Sequence, residues 1–347
     1  MVVFQALSWD ARDVDDEYLI SIFGRTETGQ SVCLTTAFKP YFFVKLGKNV
    51  NPQVLFDKIK AVAPGCLESF QLLKKKDLWG FQNNEKSNFM KLNFTTREKM
   101  KLCDSKLRRP LPDESRALKV YEANLEPMLR FMHRSEIKST GWLDTGITCT
   151  ETRISRCGID IFCNDWRLLK PVNRDDVAPF VVASFDIEAY SSTGKFPDAD
   201  VEGDACFQIA FSLRRQGSPE YIDKTCLCYK KTNTDLEGCN IVNFETEKDL
   251  LEGFRDYVIK YDIDVMTGWN IFGFDLEFIF KRAIVNGVSQ RFFKLGKLLD
   301  EECDMVYKKL SSSALGDNTL KLLPMSGRFI FDLFHEVKDR KSTRLNS

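Results

Sequence analysis

The chain has 347 residues, 43% of them hydrophobic and 29% charged, an ordinary globular mix with room for two cores. Lys+Arg and Asp+Glu number 50 each, so the formal net charge is zero. That balance speaks against a protein that merely coats nucleic acid, and it leaves open an enzyme that holds cations on carboxylates. With only two histidines, His133 and His335, chemistry built on imidazole is nearly excluded. The 11 cysteines lack zinc-site spacing, Cys226 and Cys228 being the nearest pair, and point to reduced, mostly buried thiols of an intracellular protein. The N-terminus, MVVFQALSWD, has no basic leader and no long apolar run, so no signal peptide or membrane span is expected.

In chain order, EYLISIFGR and SVCLTTAF alternate apolar and polar residues around TETGQ, which predicts a β-hairpin over 17–46. Residues 38–44 start another strand. Asn51 and Pro52 announce a helix over 51–62. The run Lys74-Lys75-Lys76 is expected in a solvated turn, with a DNA contact as the other reading. FMKLNF from Asn88 is a strand leading to a helix around 95–107, residues 108–116 a loop, and 120–135 a helix. Further strands are expected near 157–163 and 166–169, and residues 171–179 form a linker.

Beyond the linker the pattern changes. Residues 180–185 are a continuous apolar run, expected as a strand buried on both faces of a sheet. Strands follow at 206–213 and 225–229, then an amphipathic helix over 246–261 capped by Thr246. A short strand over 265–269 and a helix from Asp275 complete an α/β or α+β pattern.

Asp186-Ile187-Glu188 places two carboxylates on one face of a strand end, where they suit a hard divalent cation. Alone the pair is uninformative, because this composition gives about seven acid-x-acid pairs by chance. The context comes later, where Gly268-Trp269-Asn270-Ile271-Phe272-Gly273-Phe274-Asp275 runs from a strand into a helix mouth. Asp275 there faces the first pair across a cleft, or is simply a helix N-cap.

Together these stretches resemble the first two exonuclease motifs of the family B DNA polymerases: F-D-I-E at Phe185 to Glu188, and N-x-x-x-F-D at Asn270 to Asp275. Cys206-Phe207-Gln208-Ile209-Ala210 is similar to the family's second exonuclease strand. Ser326-Gly327-Arg328-Phe329-Ile330-Phe331-Asp332-Leu333 is similar to its G-R-x-x-x-D-L segment. Tyr121-Glu122-Ala123-Asn124-Leu125 with Leu129-Arg130-Phe131-Met132 resembles a helix of delta-type enzymes. Trp79-Gly80-Phe81 and residues 38–44 look closest to polymerases of large double-stranded DNA viruses.

The resemblance implies a mixed-β N-terminal domain over 1–175 and an RNase H-like 3′→5′ exonuclease domain over 176–338. It implies proofreading with two Mg²⁺ or Mn²⁺ ions. Asp186 would bridge both, Glu188 would bind the nucleophile-side ion, and Asp275 would serve the other. Asn270 and Phe274 would hold and stack the frayed 3′ end of single-stranded DNA, with core packing as the other reading of Phe274, and residues 311–324 would form a hairpin that helps separate primer from template or else an ordinary surface loop. The parent protein would copy a DNA primer-template with dNTPs, with a sliding clamp as a further partner, in a host nucleus or viral replication site.

The third exonuclease motif, Y-x-x-x-D, and the polymerase palm motifs are not found in the sequence. The last nine residues, DRKSTRLNS, match the translation of a common sequencing adapter. Residues 339–347 are therefore expected to be a read-through scar on a truncated chain with little or no exonuclease activity of its own. A free-standing exonuclease of the same group, or a catalytically inactive DNA-binding relative, are the alternatives.

Overall fold

The computed structural model describes residues 1–47, 49–77, 83–112, 114–147, 153–232, 236–312 and 316–337. Trp79-Gly80-Phe81 and the adapter-like residues 339–347 lie outside these. The first strands are β1 (Val3–Val14), β2 (Glu17–Arg25) and β3 (Ser31–Ala37), an antiparallel meander that contains the expected hairpin. Next come β4 (Tyr41–Lys45), α1 (Pro52–Val62), β5 (Leu67–Lys75), β6 (Ser87–Phe94), α2 (Arg97–Leu107) and β7 (Val120–Tyr121). These strands form a second sheet, ordered β5-β6-β4-β7, onto which α1 and α2 pack Leu55, Ile59, Met100 and Cys103. Asn51 caps α1 by accepting from the Gln53 and Val54 amides. Then α3 (Pro127–Ser135), β8 (Trp142–Asp144), β9 (Ile159–Cys163) and β10 (Lys170–Val172) complete the first sheet in the order β10-β8-β1-β2-β3-β9.

Three expectations are corrected in this half. Lys74 and Lys75 end strand β5 instead of forming a turn, and Lys75 Nζ sits 4.0 Å over the Phe43 ring. The helix expected over 120–135 begins only at Pro127. Val120 and Tyr121 pair with β4, and Glu122 takes a left-handed φ of 62° that no helix tolerates. The strand expected at 166–169 is a short 3-10 turn over Trp166–Leu168, with the strand itself at Lys170–Val172.

The second six-stranded sheet comprises β11 (Val181–Tyr190), β12 (Ala205–Arg215), β13 (Tyr221–Tyr229), β14 (Asn240–Phe244), β15 (Val265–Gly268) and β18 (Phe329–Asp332). Between them lie α4 (Glu247–Lys260), α5 (Asp275–Val285), α6 (Ser289–Phe292) and a hairpin of β16 (Val306–Ser312) and β17 (Gly316–Leu322). The hairpin thus starts upstream of the expected 311–324. The sheet order is β14-β13-β12-β11-β15-β18, with β11 to β13 antiparallel and β15 and β18 parallel to β11. This is the RNase H-like arrangement expected from the resemblance. Thr246 caps α4 as expected, through the Asp249 amide. On β11 burial alternates: Ala183, Phe185 and Ile187 enter the core beneath α4, while Ser184, Asp186 and Glu188 stay exposed. The expectation of a strand buried on both faces is corrected accordingly. The helices cover one face of β11 at these residues, and the polar residues take the other.

Asp264, just before β15, ties the two halves together. Its carboxylate accepts from the Val181 amide at the start of β11 (2.8 Å), from Lys297 Nζ (2.6 Å) and from Arg25 Nε on β2. Lys297 and Arg25 also pair with Asp262 at 2.9 and 3.0 Å. Burial works against the charge of Lys297, yet the two aspartates hold its pKa above the ordinary value. Removing one member strands buried charge, so Asp264→Ala should cost about 3–5 kcal/mol in urea unfolding. Asp264→Leu combined with Lys297→Met should recover part of that loss. A single variant as stable as the parent chain would show that the network contributes nothing.

Candidate active site

Strand period puts the Asp186 and Glu188 side chains on one face of β11, opposite Ala210 and Gln208 of β12. On its other side β11 pairs with β15 only as far as Ser184↔Thr267. There β15 turns away. A Cβ on Gly268 would lie 2.5 Å from the Phe185 carbonyl oxygen and 2.6 Å from Ile271 Cγ2, so only glycine permits this exit. The turn that follows holds Asn270 at φ +61° and brings Gly273 so close to the Asn270 side chain that a Cβ would meet Oδ1 at 2.4 Å. The amides of Gly273 and Phe274 donate to the Asn270 carbonyl (2.8 and 3.2 Å), and the chain enters α5 at Asp275.

Asp275 is 4% exposed. It is the first helical residue, not the N-cap, a position that Phe274 occupies without a side-chain bond. Asp275 Oδ1 accepts from the Ile187 amide (3.3 Å), the residue between Asp186 and Glu188, so α5 begins against the acidic end of β11. Burial pushes the Asp275 pKa up to about 6 and the charges of Asp186 and Asp332 add to the rise, while its own helix amide and the Ile187 amide oppose it.

Glu188, Asn270, Phe274 and Asp275 line one open pocket of about 430 Å³, together with Ile187, Ala189, Phe196, Pro197, Trp269 and Phe334. Asp186 is not among the lining residues, although its charge acts on Asp275. Phe274 is half-buried, packed on the core beside Phe278 (5.0 Å between ring centres) and turned to the pocket, where the 75%-exposed Phe196 meets it edge-on at 4.9 Å. Sequence reasoning missed Phe196 and Phe334, because an aromatic in an irregular loop or just past a strand breaks no periodic pattern. It quoted Trp269 without a role, and this side chain is 55% exposed and edge-on to Phe334 at 5.6 Å.

The three carboxylates offer hard oxygen donors of the kind that magnesium or manganese takes, and burial, with the charges of Asp186 and Asp332 added, raises the ionisation of Asp275. Among the described residues no group of three or more His, Cys, Asp or Glu is gathered to hold a metal ion. Asp275 commits Oδ1 to the Ile187 amide, and Asp186 and Glu188 project to solvent. The ten described cysteines are free, all but Cys226 and Cys239 buried. No helix among the described residues is long and apolar enough to cross a membrane.

The sheet thus carries two carboxylates on β11 and a third at the mouth of α5. Residues 118–347 match the exonuclease domain of DNA polymerase family B, and the chain belongs to that family. It is 28% identical over 368 residues to the DNA polymerase of Paramecium bursaria Chlorella virus NY2A, covering 100% of this chain and 39% of that protein. With the DNA polymerase of Acanthamoeba polyphaga mimivirus it shares 29% identity, across 97% of this chain and 21% of the viral protein. The DNA polymerase delta catalytic subunit of Arabidopsis thaliana is 28% identical, over 95% of this chain and 32% of its own length. The chain therefore spans well under half of each of these relatives. In fold it is similar to the family B DNA polymerase from the hyperthermophilic archaeon Pyrobaculum calidifontis, with TM-score 0.62, 20% identity and coverage of 97% of this chain and 37% of that one.

Asp275 ionises near 3.8 when unfolded and at about 6 when folded. Folding thus favours its neutral form, so its stabilising contribution is complete below about pH 4 and is lost as pH rises through about 6. In divalent-free buffer Asp275→Asn should be more stable than the parent chain at about pH 8, by up to about 3 kcal/mol, with the gap closing near pH 4. Urea midpoints at the two pH values measure this, and a gap independent of pH would contradict it.

Proposed function

We propose that this chain is the proofreading region of a DNA-copying polymerase, and that Asp186, Glu188 and Asp275 serve hydrolysis of the 3′-terminal phosphodiester of a frayed primer. The reading rests chiefly on one observation: the two motif regions, separated by about ninety residues in sequence, meet where the Ile187 amide donates to Asp275 beside a pocket lined by Glu188, Asn270 and Phe274. Asp186, Glu188 and Asp275 would hold two magnesium or manganese ions. When bound, such ions activate water and stabilise the charge of the phosphoryl transition state.

The other tasks fall to the chain's own groups. The Ile187 amide keeps the Asp275 carboxylate turned toward β11. Asn270, exposed at the rim, is suited to hydrogen-bond the terminal nucleotide. Phe274 offers a ring face that stacks on any base, as proofreading of unspecified sequence demands, and Phe196 and Trp269 extend that apolar rim. The β16–β17 hairpin stands next to this rim, its Lys321 amide donating to the Phe272 carbonyl at 3.1 Å, and would help part primer from template. The parent protein would extend primer-template DNA with dNTPs, with a sliding clamp as a further partner. Its work would lie in a host nucleus or a viral replication site.

The test uses the complete parent protein and the 347-residue chain side by side. In the parent, Asp186→Ala should abolish magnesium-dependent trimming of a single-stranded 3′ end and leave DNA synthesis intact. Trimming that survives would remove Asp186 from the site. In the chain, Phe274→Ala should weaken binding of a single-stranded oligodeoxynucleotide by about 1–3 kcal/mol, the value of one stacked base.

A further inference from the structure

We infer that Asp332 is a positioning residue of this site: without touching substrate, it fixes the backbone of the loop that presents Asn270, Phe274 and Asp275 to a DNA strand end. The inference rests on the exonuclease reading above for what the loop presents. Its structural core stands apart from that reading.

Asp332 closes β18 beside Gly268 of β15 and is 2% exposed. Among the described residues no cation forms a salt bridge with it; instead its carboxylate collects backbone amides. Oδ1 accepts from Asn270 N (2.8 Å) and Phe334 N (2.9 Å), and Oδ2 accepts from Phe272 N (2.9 Å). Two of these donors belong to the turn between β15 and α5. Hydrogen bonds to an ionised carboxylate are about twice as strong as neutral ones. They offset the strain of holding Asn270, a residue with a Cβ, at φ +61°. Phe272 is gripped from both sides, its amide by Asp332 and its carbonyl by Lys321 N of the hairpin (3.1 Å). The third donor, Phe334, places its ring on the same pocket. One buried carboxylate thus sets the positions of residues on both walls of the pocket. Asparagine would keep the two bonds to Oδ1 and turn an NH₂ toward the Phe272 amide, so Asp332→Asn removes one defined bond without a cavity.

Binding of a short single-stranded oligodeoxynucleotide with 2-aminopurine at its 3′ end, followed by fluorescence quenching in the full chain, tests this. Asp332→Asn should weaken binding about tenfold, and Asp332→Glu should recover little because its longer arm misplaces the acceptors. Adding Phe274→Ala to Asp332→Asn should then cost much less than it does in the parent chain, because the ring is already displaced. Independent, additive losses would overturn the inference, since general destabilisation adds where positioning does not. Amide hydrogen exchange on the unmodified chain gives a second arm. The Asn270 and Phe272 amides should exchange as slowly as those of β15, although Asn270 lies at the surface; fast exchange would overturn the inference even if Asp332→Asn failed to fold. If the unmodified chain does not quench the probe while these amides are protected, the exonuclease reading fails and the role of Asp332 in fixing the loop stands.

Discussion

The parallel pairing of β15 with β11 runs for only three residue pairs, and the rest of the second half depends on where it stops. Because β15 leaves at Gly268, β11 continues alone on that side through Asp186, Ile187 and Glu188. The space it gives up is filled by the start of α5, and Asp275 docks on the Ile187 amide. Had the two strands paired to the end, β15 would have occupied this edge of β11 and kept the helix mouth away from it. The acidic end of the sheet is thus a consequence of a strand terminated early by a residue without a Cβ.

Three buried aspartates mark out this strand pair, and their partners give each a different role. Asp264, at the entry, is surrounded by Arg25 and Lys297 from outside the sheet and so anchors β2 of the N-terminal half. Such pairs cost about as much desolvation as they return in attraction, so their value lies in fixing one arrangement. Asp332, at the exit, takes backbone amides, which fix a loop conformation without importing a charged side chain. Asp275, between the acidic face and Asp332, has the Ile187 amide and its own helix end and, among the described residues, no salt-bridging cation, and burial pushes its ionisation up. The least compensated of the three is the one at the pocket, as expected where function and stability compete for the same carboxylate.

The sequence revealed the elements that bury one face and hid those that do not. β2, β3, α1, α2 and α4 carry clear periodicity and side-chain caps at Asn51, Thr96 and Thr246, and their boundaries were legible within a few residues. β5 was not, because it lies at a sheet edge where six of its nine residues are exposed and the apolar alternation is lost. β8 and β10 are three residues each, too short for any period. β7 was absorbed into a helix because Tyr121 and Arg130 belong to one recognisable segment, whereas Pro127 marks the true start. At the site, the carboxylates and the Asn270 turn were visible as spacing. The partners of Asp332 were not, since a carboxylate that binds main-chain amides leaves no trace in the identity of the residues it holds.

The zero net charge illustrates how little a whole-chain sum says about a local field. In the N-terminal sheet, Lys91 Nζ lies 4.0 Å and Arg130 4.1 Å from the Tyr41 ring centre, with Lys75 over the neighbouring Phe43. Burial, and then the charges of Arg134, Arg130 and Lys75, lower the pKa of Lys91. Around the end of β11 carboxylates gather instead, and burial, with the charges of Asp186 and Asp332 added, raises the ionisation of Asp275. Screening at physiological salt damps interactions between exposed charges beyond about 8 Å, so a sum over the whole chain does not describe the field at either place. A neutral composition therefore removes only the class of protein that relies on a uniform basic surface. It leaves room for one that gathers cations around aromatic rings in one region and carboxylates near the end of β11 in another.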